Sequence, residues 1–112
     1  MPVVQKEVIP TLPNGDHVLH GTYTKAGVPS DISLKIKVEE GGVIYTDDTT
    51  LGFQINGVVL SGVVTIKLQY PDGKEVEFEG NLDKEVKIIK GTFKSTHDTY
   101  GNEGDFTFNV QK

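Results

Sequence analysis

The chain contains no cysteine, no tryptophan and no arginine. The missing cysteine excludes disulfides, thiol nucleophiles and cysteine-ligated zinc, and it fits a reducing cytosol. Without arginine, all 11 cationic side chains are lysines, set against 16 acids for a net charge of −5. That balance argues against nucleic acid, because neutralising phosphates needs a basic face. It also removes the bidentate fork commonly used to grip carboxylates and phosphates. No apolar run approaches the roughly 20 residues of a membrane-spanning helix, so no membrane insertion is expected. Met1-Pro2-Val3-Val4 has neither the basic flank nor the apolar core of a signal peptide. No stretch carries a capped 3.6-residue period.

What the sequence does have is period 2. The stretch from Gly57 to Phe93 organises the rest. Val64, Ile66, Leu68 and Tyr70 alternate with Thr65, Lys67 and Gln69. Pro71-Asp72-Gly73-Lys74 then supplies a turn, with Pro71 fixing the first corner and Gly73 free to take positive φ. Glu75–Leu82 alternates again, with Val76, Phe78 and Leu82 on one face and Glu75, Glu77 and Glu79 on the other. Such alternation marks antiparallel strands with one buried and one wet face, and the glutamates read as a solvated face. Asp83-Lys84-Glu85 makes the next turn. Val86 and Ile88 share one phase and Ile89, Gly91 and Phe93 the other, which predicts a β-bulge near Ile88-Ile89.

Upstream, residues 1–16 hold three of the five prolines and the turn Pro13-Asn14-Gly15-Asp16. They read as an extended arm, with at most a short edge strand at Val3–Ile9. A single domain follows over residues 17–112. Its first strand is His17–Thr24, followed by a loop at Lys25–Ser30. The second is Asp31–Glu39, with Ile32, Leu34, Ile36 and Val38 facing in. After the Glu40-Gly41-Gly42 turn come Val43–Thr46, a loop at Asp47–Thr49, and Thr50–Ile55. Asn56-Gly57 reads as a hairpin turn. Val58–Tyr70 follows, interrupted at Gly62. Ser95–Asn102 is a polar loop, and Gly104–Gln111 closes the chain with Phe106, Phe108 and Val110 buried.

Glycines recur inside the expected strands at positions 21, 52, 62, 80 and 91, and those at 21, 62, 80 and 91 lie between apolar residues two before and two after. Glycine weakens a strand, so sharp coiling of a small closed sheet is the reason preferred here. The expected fold is all-β: an antiparallel up-and-down meander of about eight strands forming a small or flattened β-barrel. The alternative is a two-sheet β-sandwich.

Gly21-Thr22-Tyr23, in the first main strand after an irregular leader, resembles the Gly-x-Trp of the lipocalin and avidin (calycin) barrels, with tyrosine in place of tryptophan. The meander resembles theirs too. The arginine that closes the lipocalin barrel base has no counterpart. The resemblance implies a binding barrel with an apolar interior and polar entrance loops.

The densest group of hydrogen-bonding side chains is Ser95–Glu103. Within it His97, Asp98, Tyr100 and Asn102 could grip a polar ligand at a barrel mouth, with Tyr23, Tyr45 and Phe53 as aromatic candidates. The same residues read structurally as turn-formers and core. Asp98, Asn102, Glu103 and Asp105 lack the spacing of an EF-hand, so no metal is expected. His17 and His20 fall on opposite faces of a strand and cannot readily share one. No serine has a nucleophile-elbow context, and His97-Asp98 side chains would point apart, so no catalytic residue and no cofactor is expected. The function expected is non-catalytic binding of a small apolar or amphipathic ligand. The alternative is a structural or protein–protein interaction module, with a protein partner or a second copy of the chain.

Overall fold

The computed structural model describes residues 11–48, 50–98 and 100–111, so the short strand expected at Val3–Ile9 lies outside the described residues. The described residues form strands and turns with no helix: β1 (Gly15–Lys25), β2 (Val28–Glu39), β3 (Val43–Tyr45), β4 (Gln54–Leu60), β5 (Val63–Gln69), β6 (Glu75–Leu82), β7 (Ile88–Ser95) and β8 (Glu103–Gln111). Every neighbour in sequence is an antiparallel neighbour in space. β1 also pairs with β8, from Val18 opposite Gln111 to Tyr23 opposite Phe106, which closes the barrel. Closure removes the sandwich alternative and explains the alternation. Inward residues such as Leu34, Ile66, Val76, Phe78 and Phe108 are fully buried, while Ser33, Lys35, Glu77 and Glu79 stay exposed.

Glycine makes the tight curvature sterically feasible. A Cβ on Gly21 would collide with the backbone carbonyl of Thr107 on β8. Gly91 lies opposite Gly80 on one side and Phe106 on the other, and Gly104 opposite Phe93. Large rings therefore lie across strands where a neighbour has no side chain, a pairing that compensates strand glycines. Gly52 and Gly62, expected inside strands, sit instead in a loop and a turn, both at φ 79°.

Several boundaries differ from those expected. Lys25–Ser30 is not a loop: β1 runs to Lys25, β2 starts at Val28, and only Ala26 and Gly27 turn the chain, both at positive φ. The same turn recurs at Ser61-Gly62. Val58–Tyr70 is thus two strands, and Asn56-Gly57 is no hairpin: both residues lie within β4, opposite Lys67 and Ile66. Gly57 is there because Thr65 crowds the space a Cβ would need. The strand expected at Thr50–Ile55 is mostly loop, since β4 begins at Gln54. No bulge occurs at Ile88-Ile89, because the β6–β7 register runs unbroken from Leu82 opposite Ile89 to Val76 opposite Ser95. The irregularity lies two residues earlier, in the turn, where Val86 takes φ 60°.

β3 is the short strand. It pairs with β2 only over Lys37–Glu39 and with β4 only over Asn56–Val58. Beyond Tyr45 the chain leaves the sheet as the loop 46–53. We call the end of the barrel bearing this loop, the Ala26-Gly27 and Pro71-Asp72-Gly73 turns and the loop 96–102 its upper end.

Candidate functional site

The upper end holds a chain of rings drawn from four separate segments. Phe53 lies 5.2 Å from Tyr70, Tyr70 lies 4.2 Å from His97, and Tyr100 lies 4.8 Å from Tyr23, centroid to centroid. His97 also contacts Tyr100 at 5.8 Å, and the Tyr70 and Tyr100 hydroxyls are 3.1 Å apart. The series continues inward from Tyr23 and Tyr100 through Phe93 and Phe78 to Phe106 and Phe108. Burial and the Tyr70 hydroxyl push the Tyr100 phenol far above the ordinary tyrosine range, which keeps it neutral.

Four of the residues singled out in the sequence, Tyr23, Phe53, His97 and Tyr100, thus meet at one end. Tyr23 and Tyr100 are core residues there, whereas Phe53 and His97 are half-buried. The other three do not join them. Tyr45 donates its hydroxyl proton to Glu39 (2.8 Å), and this bond is the main cause of its raised pKa. The Asp98 side chain is almost wholly in solvent, 3.8 Å from the Lys74 ammonium. Asn102 is exposed and lines a shallow groove with Glu75, Glu77 and Glu103.

The loop 96–102 is pinned rather than free. The Thr96 amide donates to the Glu75 carbonyl and the Glu75 amide to the Thr96 hydroxyl, both at 2.9 Å. Ser95 Oγ accepts from the His97 amide (2.8 Å), and Lys25 Nζ donates to the Asp98 carbonyl (2.8 Å). These bonds fix the positions from which His97 and Tyr100 reach the other rings.

The larger opening lies beside the loop 46–53. A groove of about 620 Å³ is lined by Thr46, Asp47, Asp48, Phe53, Gln54 and Tyr70, among others. Gln54 and Gln69 face each other across β4 and β5, and Asn56 donates to the Gln69 side chain (2.8 Å). Two ring faces and a proline therefore stand beside two amides and two carboxylates. A second groove, about 500 Å³, lies across the same loop against β1 and β2 and includes Asp16, His17, Lys35 and Lys37. Thr46, Asp47 and Asp48 line both, so this part of the loop is a ridge between them.

Charge fixes the ridge. Lys37 Nζ lies 2.8 Å from Asp47 and 3.7 Å from Asp16, and the Asp47 hydrogen bond and charge raise the Lys37 pKa above its ordinary value. Asp48 accepts from the hydroxyl and amide of Thr50, which lowers its own pKa. His17 is buried: its Nε2 lies 2.7 Å from the Pro13 carbonyl, and its Nδ1 has no hydrogen-bond partner among the described residues. His20, as the strand spacing implies, is exposed on the other face. Among the described residues, no group of three or more histidines and acids is placed to hold a metal ion.

In the sequence Tyr70 reads as an inward strand residue and Gln54 and Gln69 as strand positions, so none of the three is singled out there for a site. A usable signal was present: Leu51-Gly52-Phe53 places two large apolar residues in a segment that follows Asp47-Asp48. No family model, no curated protein and no solved structure matches this chain.

Proposed function

We propose that the protein is a non-catalytic binding barrel of lipocalin-like type that takes a small amphipathic ligand at its upper end, in the groove beside the loop 46–53. The observation that carries this reading is the pairing of the Phe53 and Tyr70 rings with Gln54, Gln69, Asp47 and Asp48 around a space of about 620 Å³. Apolar walls with a few directed polar groups are the usual make-up of a small-molecule site, and the volume falls in the usual range. Unlike the interior ligand chamber that the family resemblance implies, this site is external, because the barrel axis is occupied by Phe78, Phe93, Phe106 and Phe108 in mutual contact. Opposed glutamines and carboxylates favour a ligand that donates hydrogen bonds from one edge and presents an apolar face to the rings.

Native mass spectrometry of protein purified from its source cells tests this. The expected result is a copurified small molecule of constant mass, depleted in a Phe53→Ala variant that keeps its β-sheet circular dichroism. A bare chain mass, together with no saturable binding of a polarity-sensitive fluorescent probe, would sink the reading.

The second reading, an interaction module, has its own support. Val43, Val58, Leu60 and Val63 are exposed on the outer wall of β3–β5, with Val43 opposite Val58 and Leu60 opposite Val63. Contiguous exposed aliphatics of this kind commonly mark contact surfaces.

A further inference from the structure

Among the described residues, β2 pairs with a strand along one edge only for most of its length. Lys25 and Val28 flank the two-residue Ala26-Gly27 turn. The pair flanking such a turn exchanges hydrogen bonds, so Val28 and every second residue after it bond to β1. The residues between them turn their N–H and C=O groups the other way. On that side β3 meets only Lys37–Glu39. The backbone groups of Asp31, Ser33 and Lys35 therefore face no strand among the described residues. Pro29 bounds this free stretch above, with no N–H to offer, and Tyr45 bounds it below, opposite Lys37.

The outward side chains along the free stretch are Asp31, Ser33 and Lys35, all exposed, with Ile32 and Leu34 pointing into the core. Neither Asp31 nor Lys35 forms an ion pair among the described residues, although Lys35 lends its charge to the lowering of Asp48. An acid, a neutral centre and a base at two-residue spacing are self-complementary about the centre. We propose that this edge pairs with the same edge of a second copy of the chain, antiparallel, with the two-fold axis at Ser33. Asp31 then opposes Lys35 of the second copy, Ser33 opposes Ser33, and Lys35 opposes Asp31. All three are hydrogen-bonded pairs, which supplies about six backbone bonds.

The charges select this register. Centring the pair on Asp31 sets carboxylate against carboxylate, and centring it on Lys35 sets ammonium against ammonium; like charges directly opposite destabilise a sheet pair. A one-residue slip would set Asp31, Ser33 and Lys35 opposite Ile32 and Leu34, whose backbone groups already bond to β1. The contact is isologous, so it closes at two copies and does not propagate into a fibre. The groove assigned to the ligand is lined by no β2 residue, so dimerisation can be tested apart from ligand binding at Phe53 and Tyr70.

Sedimentation of the full chain across a concentration series tests the proposal. A reversible monomer–dimer equilibrium is expected. Asp31→Lys and Lys35→Asp should each weaken the dimer by at least about tenfold, since each replaces two attractive pairs with two repulsive ones. The double variant D31K/K35D should return it to within about threefold of the native chain. Circular dichroism checks that each variant stays folded. Should a variant fail to fold, amide hydrogen exchange on the native chain decides instead, with the Asp31, Ser33 and Lys35 amides gaining protection as concentration rises. A chain that stays monomeric at every concentration overturns the proposal. So does a dimer indifferent to the charge swaps, or one lost instead with Leu60→Glu. Protection of those three amides that is independent of concentration also overturns it, because another segment of the same chain then occupies the edge.

Discussion

Gly80 and Gly91 face each other across β6 and β7, and the ring of Phe106 covers the space their missing side chains leave. A Cβ on Gly91 would collide with backbone, at the Glu79 carbonyl and the Gly80 Cα. A Cβ on Gly80 would meet the Lys90 carbonyl at 2.6 Å and the Phe106 ring at 2.9 Å. Both alanine variants should destabilise the barrel, by about 1–3 kcal/mol for Gly80→Ala and more for Gly91→Ala, because both meet backbone but the approach at Gly91 to the Glu79 carbonyl is closer than that at Gly80 to the Lys90 carbonyl. Urea unfolding followed by circular dichroism measures both. Equal, negligible costs would show that the two strands can separate without loss.

Tyr100 gives the fold an alkaline limit. Its folded pKa lies above the ordinary value of 10.0, chiefly through burial and then through the Tyr70 hydroxyl. A raised folded pKa contributes stability that is fully present below the unfolded value and is lost as pH rises through the folded value. Stability should therefore decline above about pH 10, as the unfolded state releases a proton the native state retains. Tyr100→Phe should remove that part of the slope and cost about 1 kcal/mol at neutral pH for the lost hydroxyl pair. Unfolding free energies measured at neutral and alkaline pH check both statements.

Asp83 acts at the opposite end of the pH scale. Its carboxylate accepts the amides of Ile88 (3.0 Å) and Lys87 (2.6 Å), and these bonds lower its pKa below 3.8. A depressed folded pKa contributes stability present above the unfolded value and lost as pH falls through the folded one. Asp83→Ala should therefore melt below the native chain at neutral pH, and the gap should close as the solution is acidified past the carboxylate range. A gap that does not change with pH would assign the effect to turn shape alone.

Two turns carry residues poorly suited to them. Ala26 and Ser61 sit at φ 51°, each followed by a glycine at φ 79°. Positive φ at both central positions is the geometry of the turn that favours Asn-Gly. Ala26→Asn and Ser61→Asn should each raise stability by about 0.5–1 kcal/mol, read as higher thermal midpoints. The free-edge contact of β2 lies outside both turns and should be unaffected.

Local pattern determined the all-β class, the inward faces of β2, β5, β6 and β8, the Glu40–Gly42 and Pro71–Gly73 turns, and the need for coiling. Each follows from side chains alternating every two residues, or from a turn whose φ values only certain residues tolerate. The Asn-Gly at 56–57 was misleading. That dipeptide favours a hairpin, yet Gly57 is held in β4 by the crowding of Thr65, and the chain turns at Ser61-Gly62 instead. A dipeptide reports its own backbone preference but not the strand that will lie against it. For the same reason the phase change at Val86–Ile89 read as a bulge, when the extra residue belongs to a turn held by Asp83.

The candidate site shows the same division. Tyr23, Phe53, His97 and Tyr100 could be named from composition and position, but Tyr45, Asp98 and Asn102 could not be separated from them. Only closure of β1 on β8 and the pinning of the loop 96–102 decide which rings meet. The shortness of β3 was legible, since Asp47-Asp48 follows Val43–Thr46 directly and the strand ends at Tyr45. Only the tertiary structure decides that the next strand begins at Gln54, which leaves the edge of β2 beyond Lys37 without a strand among the described residues. The reason is that β4 starts where Gln54 can pair with Gln69 of β5, a partner distant in sequence that no local pattern reports.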